Sequence, residues 1–360
     1  MTTFCRRRGQ AIHRLCLFGI LFCGALAVSA GEPETPVSTV VTQLTVVQWN
    51  VENLFDTEDD PENEGDDPFS PGGWQYWTEK RYRTKLDHLA EMLERTRGDI
   101  VCLEEVENRR VLDDLNEALR QRAGWNYPHI VHREGPDHRG IDVAVLSRFK
   151  PVDARWLTPV AAQRDILIVD FLIQDTPLTV LANHWKSRWG NKQEATKRRV
   201  AQARAAREEI NRILQKNPAA PIMLVGDFND DFDGPTLVEH VQSSPDREAV
   251  VAGRPGVLLF NLHATLPRDR NGTLYYYRGK TWNSFDGIGV SRSMIDPKAR
   301  GGWQVKEGSY EIVRLDCNVN DFGKPKAFRR MKNEKTGERE YVMGYSDHFP
   351  VRVVITRRAD

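Results

Sequence analysis

Eight short apolar runs, most of them rich in β-branched residues, are strung along the chain: Leu44–Trp49, Ile100–Leu103, Val143–Leu146, Ile166–Phe171, Leu178–Ala182, Ile222–Val225, Gly287–Val290 and Val351–Ile355. Runs of this length and composition read as strands of a sheet covered on a face. Amphipathic helical stretches lie between them. One follows Thr78, a candidate N-cap, with Tyr82, Leu86, Leu89 and Leu93 on one face and Gly98 beyond its end. Another runs from about Lys192 to Leu214, with Ala203, Ala206, Ile210 and Ile213 as its stripe, and stops at Asn217-Pro218. The alternation specifies an α/β fold. No internal repeat and no linker-like shift in composition interrupts 41–357, so one domain is expected there, after a short Pro/Thr/Ser linker at 31–40.

The first thirty residues differ in kind. Arg6-Arg7-Arg8 precede an uncharged run of 14 residues, Leu15–Val28, and small side chains follow at Ser29 and Ala30. This is the pattern of a secretory signal peptide cleaved near Ala30, and it predicts a secreted or periplasmic protein. A spanning helix needs roughly 20 apolar residues, so no stable membrane anchor is expected. Removing Met1–Ala30 takes away four arginines and no acid, so 47 of the 51 basic residues remain against 51 acidic ones, a net charge near −4. Hydrophobic residues at 40% and charged residues at 28% exclude a disordered polyelectrolyte. Cys5, Cys16 and Cys23 leave with the signal, and Cys102 and Cys317 remain. Two cysteines permit one disulfide without requiring it, and no zinc or Cys-x-x-Cys spacing is present.

Two charge runs break the pattern. Asp56–Asp67 holds eight acids and no base, with Pro61 and Gly65 among them, and reads as a loop. Clustered carboxylates suit Ca²⁺ as a structural ion, but the run lacks the ligand order of an EF-hand, and a solvated acidic loop is the favoured reading. Lys186–Arg212 holds nine bases against three acids. It reads either as a solvated helix face or as an attractor of phosphates.

Chemistry-bearing residues sit where apolar strands end, which is where open α/β sheets place ligands. They are Asn50, Glu52 and Asn53 after the first run, Glu104-Glu105 after the second, Asn183-His184-Trp185-Lys186, Gly226-Asp227-Phe228-Asn229, and Ser346-Asp347-His348-Phe349-Pro350 ahead of the last. One carboxylate after a strand is usually a cap or loop residue; five such clusters define a site. Carboxylates, carboxamides and imidazoles without thiolates call for a hard cation, Mg²⁺ or Mn²⁺, and for displacement at phosphorus. A serine hydrolase is excluded because no Gly-x-Ser-x-Gly occurs, and no Walker-type loop is present.

From about Leu44 to Ile355 these motifs, in this order, resemble the endonuclease/exonuclease/phosphatase superfamily, which includes pancreatic-type deoxyribonuclease, abasic-site endonucleases, bacterial sphingomyelinases and inositol-polyphosphate phosphatases. The resemblance implies a four-layer α/β sandwich, two packed mixed β-sheets flanked by helices. It implies Asn50, Glu105 and Asp347 as metal-site residues, with Glu52 where some members have a metal-site Asp. It implies Asp227 as the water-activating or oxyanion-stabilising acid, Asn229 as a phosphate-binding amide, His348 as the catalytic histidine paired with Asp286, and His184 as the first catalytic histidine. Glu104 stands where many relatives have Gln, and neighbours on a strand face opposite ways, so Glu105 alone is assigned. Glu134 is a candidate partner for His184.

Asn183-His184-Trp185-Lys186-Ser187 also resembles the Asn-His-x-Lys-Ser of bacterial extracellular nucleases, and Arg199 to Ala203 the Arg-x-x-Gln-Ala that follows it. The expected activity is therefore metal-dependent hydrolysis of DNA or RNA phosphodiester bonds by a monomer, with Lys186, Arg188 and Arg199 as phosphate contacts. A second basic set, Lys324, Lys326, Arg329, Arg330 and Lys332, either extends that groove or is a solvated loop. The alternatives are a phosphatase or a sphingomyelinase-like phosphodiesterase on the same scaffold, and more remotely a non-catalytic cation-dependent binding module. A lipid-active member would show an exposed aromatic hairpin; Trp74, Tyr76, Trp77 and Tyr275–Tyr277 are candidates that core and loop packing explain more simply.

Overall fold

The computed structural model describes residues 40–61, 63–332 and 339–358; the expected signal peptide and residues 31–39 lie outside them. In chain order the first seven strands are β1 (Gln43–Leu54), β2 (Ile100–Val106), β3 (His129–Val131), β4 (Asp142–Ser147), β5 (Pro151–Leu157), β6 (Ile166–Ile173) and β7 (Thr176–His184). They are followed by β8 (Ile222–Asp227), β9 (Ser243–Ser244), β10 (Leu259–Asn261), β11 (Leu274–Tyr276), β12 (Thr281–Asn283) and β13 (Asp286–Ser291). The last are β14 (Trp303–Val305), β15 (Glu311–Ile312), β16 (Phe328–Lys332), β17 (Arg339–Met343) and β18 (Val351–Arg357). The main helices are α1 (Glu79–Thr96), α2 (Arg109–Ala123) and α3 (Lys192–Lys216).

Two seven-stranded mixed sheets result. One has the order β14-β18-β1-β2-β4-β3 with β15 also on β18; the other has the order β5-β6-β7-β8-β13-β10-β9. Alternation along each strand decides which layer a side chain enters. In β1, Leu44 and Val46 point between the sheets with Ile100, Cys102, Val143 and Val145. They meet Val180, Ala182, Met223, Val225, Ile288 and Val290 of the second sheet there. The intervening Val47, Trp49, Val101 and Leu103 pack under α1 and α2. On the far side Leu181, Ile222 and Leu224 pack against Ala203, Ala206 and Ile210 of α3. The layers are therefore helix, sheet, sheet, helix, as the sequence implied, and Val40–Asp360 forms one compact unit.

The helix ends show the local chemistry. Thr78 caps α1 by accepting from the Arg81 amide, and Tyr82, Leu86, Leu89 and Leu93 are buried as expected. The left-handed residue that closes α1 is Arg97 rather than Gly98. Gly98 is required for a different reason, since a Cβ there would lie 2.5 Å from the Val101 side chain. Helix α2, capped by Asn108 and closed by left-handed Gly124, is a covering helix that the sequence reading did not mark, with Val111, Leu112, Leu115 and Leu119 inward. Cys102 is buried between the sheets, whereas Cys317 lies beside Met92 under the helices, and both thiols are free. Among the described residues, no helix is long and apolar enough to cross a membrane.

Candidate active site

At one end of the inter-sheet core the apolar side chains give way to polar ones without a change in direction. Continuing each inward face by two residues leads from Val46 to Gln48 and Asn50, from Cys102 to Glu104, from Ala182 to His184, from Val225 to Asp227, and from Ile288 back to Asp286. Strand register aligns them: His184 is opposite Asp227 and Asp227 opposite Asp286 in one sheet, and Asn50 is opposite Glu104 in the other. The sheets are stitched across the gap by two amides. Asn50 Nδ2 donates to Asp227 Oδ2 at 3.0 Å, and Gln48 Nε2 donates to Asp286 Oδ1 at 2.9 Å and to Glu104 Oε2 at 3.0 Å.

His348 enters from the loop before β18. Its Nδ1 meets Asp286 Oδ2 at 2.7 Å, and its Nε2 lies 4.0 Å from Asp227 Oδ2 and 3.9 Å from Asp347 Oδ1. The loop is fixed by Ser346, whose Oγ donates to the Asn50 carbonyl at 2.6 Å and accepts from the His348 amide, and by Trp49 Nε1, which donates to the His348 carbonyl. Burial alone would lower the His348 pKa, but the adjacent Asp286 and Asp347 outweigh it and hold the imidazole well above its ordinary value. Burial pushes Asp227 up to about 7, against the pull of His348. His184 is the opposite case: burial, with Arg164 and Arg139 nearby, keeps it neutral. Its Nε2 lies 3.6 Å from Asp227 Oδ2 and 3.8 Å from Glu105 Oε1. Its Nδ1 has no partner among the described residues, and the candidate Glu134 is exposed on another surface, so that pair does not form.

Non-glycine residues with left-handed backbone cluster here: Glu52, Asn53, Glu105 and Asn229 all have φ between 48° and 64°. Such conformations cost about 1–3 kcal/mol each and persist where the surroundings fix them. At Glu105 the turn shifts the β2 register and aims the carboxylate into the cavity, where it accepts from Asn50 Nδ2 and from the Asn53 amide. Glu104 keeps the inward strand direction, is fully buried and is driven by burial, Asp286 and Asp227 well above the ordinary carboxylate range, so it is a neutral acid behind the site. Asn229 is held by an Asx turn, its amide donating to Asp227 Oδ1, while its Nδ2 donates to the Trp185 carbonyl. Gly226 has no substitute at this turn, because a Cβ would collide with the Asn183 carbonyl.

Glu52, Asn53, Glu105, His184, Asp227, Asn229, Asp347 and His348 line a cavity of about 630 Å³ that sequence reading populated incompletely. Arg139 and Arg164 belong to it; Arg164 is buried against Asp137 and donates to the His184 and Trp185 carbonyls. Neither sits in a recognisable motif. Arg188 lines the cavity as expected, with its guanidinium stacked over Phe285 and paired with Asp230 and Asp231. Lys186 and Arg199 do not line it. Arg199 is buried and donates to the Lys186 carbonyl, and Gln202 of the same helix accepts from the Lys186 amide, so the Arg-x-x-Gln pattern braces the loop after His184 from behind. Of the second basic set, Arg329 and Arg330 do line the cavity.

Of the expected metal residues Glu105 and Asp347 line the cavity, while Asn50 is buried behind it and donates to Glu105 and Asp227, so the three do not form a closed cage. Asn50 and Glu105 bond at 3.3 Å, whereas Asp347 Oδ2 accepts from Arg329. All three offer hard oxygen donors, and a few carboxylates completed by water and substrate phosphate are what Mg²⁺ and Mn²⁺ take, so the residues fit such an ion. Beneath them the fully buried Lys85 donates to the Val51, Glu52 and Tyr345 carbonyls, tying α1 to both site loops. In the acidic loop Asp59, Asp66 and Asp67 converge within 4.8 Å. Around the cavity mouth Trp74, Trp189 and Tyr276 are exposed. Tyr276, Tyr277 and Trp282 stand out from the β11–β12 hairpin, and of the aromatic residues assigned to packing from sequence, Trp77 alone is fully buried.

Comparison with known proteins agrees with this geometry. No curated protein matches the chain by sequence. Among solved structures, truncated Caenorhabditis elegans TDP2 superposes with a TM-score of 0.51 at 14% identity, covering 87% of this chain and 98% of its own. Staphylococcus aureus beta toxin, a mutant with bound magnesium ions, gives 0.52 at 15% identity with 89% and 100% covered. An endonuclease/exonuclease/phosphatase family protein from Bacteroides thetaiotaomicron gives 0.50 at 20% identity with 87% and 98% covered. At such identities these likenesses speak for the fold. The family assignment rests on the sequence pattern, which matches residues 45–357: the chain belongs to the endonuclease/exonuclease/phosphatase family, an enzyme family of metal-dependent phosphoric ester hydrolases.

Proposed function

We propose that the chain is an exported Mg²⁺- or Mn²⁺-dependent phosphodiesterase that cleaves nucleic acid. The observation that carries this reading is the composition of one cavity: Asp227 and His348 at its floor with Asp286 buried behind His348, arginines on its walls, and exposed aromatic rings at its mouth. Arginines suit the phosphate backbone, and exposed rings suit stacked bases. Asp227, with its raised pKa, orients the attacking water and takes its proton as the new P–O bond forms and the ester P–O bond breaks. His348, kept protonated by Asp286, donates from Nε2 to a phosphoryl oxygen as charge gathers on it. Asn229 and neutral His184 hold the other side of the phosphoryl group. Asn50, Glu105 and Asp347 would hold the divalent ion, which supplies positive charge to the phosphate and to the leaving oxygen. The magnesium bound in the beta toxin supports the same class of ion.

A second reading, a phospholipid phosphodiesterase, is favoured by the β11–β12 hairpin with its exposed Tyr276, Tyr277 and Trp282. One substrate panel separates the two. Plasmid DNA, RNA and sphingomyelin vesicles are incubated with purified protein and Mg²⁺ or Mn²⁺; cleavage of DNA or RNA is expected. Turnover of sphingomyelin alone would replace the nuclease reading with the second one. The convergence of Asp59, Asp66 and Asp67 also keeps Ca²⁺ as a candidate structural ion, assayed by whether Ca²⁺ raises the melting temperature of an Asp67→Asn variant less than that of the parent.

A further inference from the structure

We infer that Arg329 is a phosphate-binding residue, a resident cation seated on Glu52 and Asp347 that grips a non-bridging phosphoryl oxygen independently of the metal. The inference rests on the phosphoric ester reading of this cavity and names a further residue of it.

Arg329 Nε donates to Glu52 Oε1, and its Nη2 donates to Asp347 Oδ2. A guanidinium has five N–H groups in a fixed fork, so most of its donor capacity remains after these two bonds. The side chain is 37% exposed and lines the cavity, so part of it stays within reach of a phosphate that enters there. Position supports this. Asp347 holds Arg329 through Oδ2 and faces His348 Nε2 through Oδ1, so a single carboxylate separates the guanidinium from the catalytic imidazole.

Glu52 reinforces the assignment. Its second oxygen accepts from the Phe328 amide at 2.6 Å, so both carboxylate oxygens are spent on the strand that carries Arg329. The position where some relatives have a metal-site acid here anchors an arginine. The seat is rigid: Phe328 is buried with its ring edge-on to Trp77 at 5.5 Å, and Lys85 fixes the Glu52 carbonyl from below. A guanidinium held in place before substrate arrives loses little freedom when it binds, which is how a preorganised phosphate contact gains strength. An arginine serving only to join two carboxylates would have no need to line the cavity.

The test uses full-length protein in excess EDTA and a thymidine dinucleotide carrying terminal phosphate, with binding followed by calorimetry. Parent protein is expected to bind without metal, Arg329→Met to bind at least about tenfold more weakly, and Arg329→Lys to recover part of the loss, since Lys keeps the charge without the fork. With metal present, Arg329→Met should raise KM more than it lowers kcat. Should Arg329→Met not fold, Glu52→Gln, which unseats the guanidinium but keeps its charge, is expected to weaken binding in EDTA. No metal-free binding by the parent, or equal binding by parent and Arg329→Met with only a lowered melting temperature, overturns the inference. Arg329-dependent phosphate binding by a protein that hydrolyses no phosphate ester would instead leave the inference standing and remove the phosphodiesterase reading.

Discussion

His348 and Asp227 lie within 4.0 Å of each other and both have raised pKa values, from different causes. Asp286, fully buried and 2.7 Å from Nδ1, stabilises the imidazolium, while burial leaves Asp227 half-ionised near pH 7. In the proposed mechanism Asp227 must be ionised to accept a proton and His348 protonated to donate one. Activity should therefore rise as pH passes through about 7 and fall again only where His348 deprotonates, well above the ordinary histidine range. Removing the partner in Asp286→Asn should draw the alkaline limb downward. A pH–rate profile of kcat/KM for parent and variant checks both limbs; an alkaline limb unmoved by Asp286→Asn would show that the pair does not set the His348 pKa. His348→Ala and Asp227→Ala should each lose roughly 10²–10⁴-fold in kcat, measured on bis-p-nitrophenyl phosphate with Mg²⁺ or Mn²⁺. At this scale the sequence was readable wherever a polar residue closely follows an apolar run, as Asp227 follows Ile222–Val225. It did not show that Arg199 lies outside the cavity, because burial behind a loop leaves no mark on a basic helix.

Among the elements, α3 and the loop after β7 show how a motif can act at one remove. Arg199 and Gln202 clamp the carbonyl and amide of Lys186, and that loop carries Arg188 into the cavity. A hydrogen bond from a charged donor to a buried carbonyl is worth about 1.5–3 kcal/mol. Arg199→Ala should therefore lower the melting temperature by several degrees and leave the salt dependence of KM unchanged. Arg188→Ala, which removes a charge from the cavity wall, should flatten the salt dependence of KM. Thermal melts beside KM values across ionic strength separate them; a flattened salt slope for Arg199→Ala would return that residue to the substrate surface. Helix α2 was as legible as α1 in principle, with an Asn cap, four inward aliphatic residues and a closing Gly. The short strands β9, β14 and β15 were not legible, since two or three residues have no measurable period.

For the molecule as a whole, the spacing of the two sheets sets how the groups of the site meet. Gln48 reaches Asp286, and Asn50 reaches Asp227, only because the inward side chains of both sheets pack at native density behind them. Ile288→Ala, two residues from Asp286 and fully buried, should cost roughly 2–5 kcal/mol of stability and lower kcat with a smaller effect on KM. Chemical denaturation and kinetics on the same preparation measure both, and an unaltered kcat would mean that the site tolerates slack between the sheets. At the other end of the chain, Met1–Ala30 is proposed to be removed on export. N-terminal sequencing of exported protein should begin near Gly31, and a monomeric mass in solution is expected of that product.

The sequence alone determined what depends on neighbours along the chain. Short apolar runs and period-3.6 stripes marked the strands and helices, turn residues their ends, and the order of polar clusters at strand ends the family. Tertiary structure decided what depends on approach across hundreds of residues: that Glu105 turns into the cavity while Glu104 stays behind it, that Arg164 joins the wall, that Lys186 is held away from it, and that Arg329 sits on Glu52, 277 positions away. Alternation fixes the direction of a side chain locally, but the groups it will face are set by how two sheets and their loops pack, and that packing energy is spread over residues with no pairwise signature in one sequence.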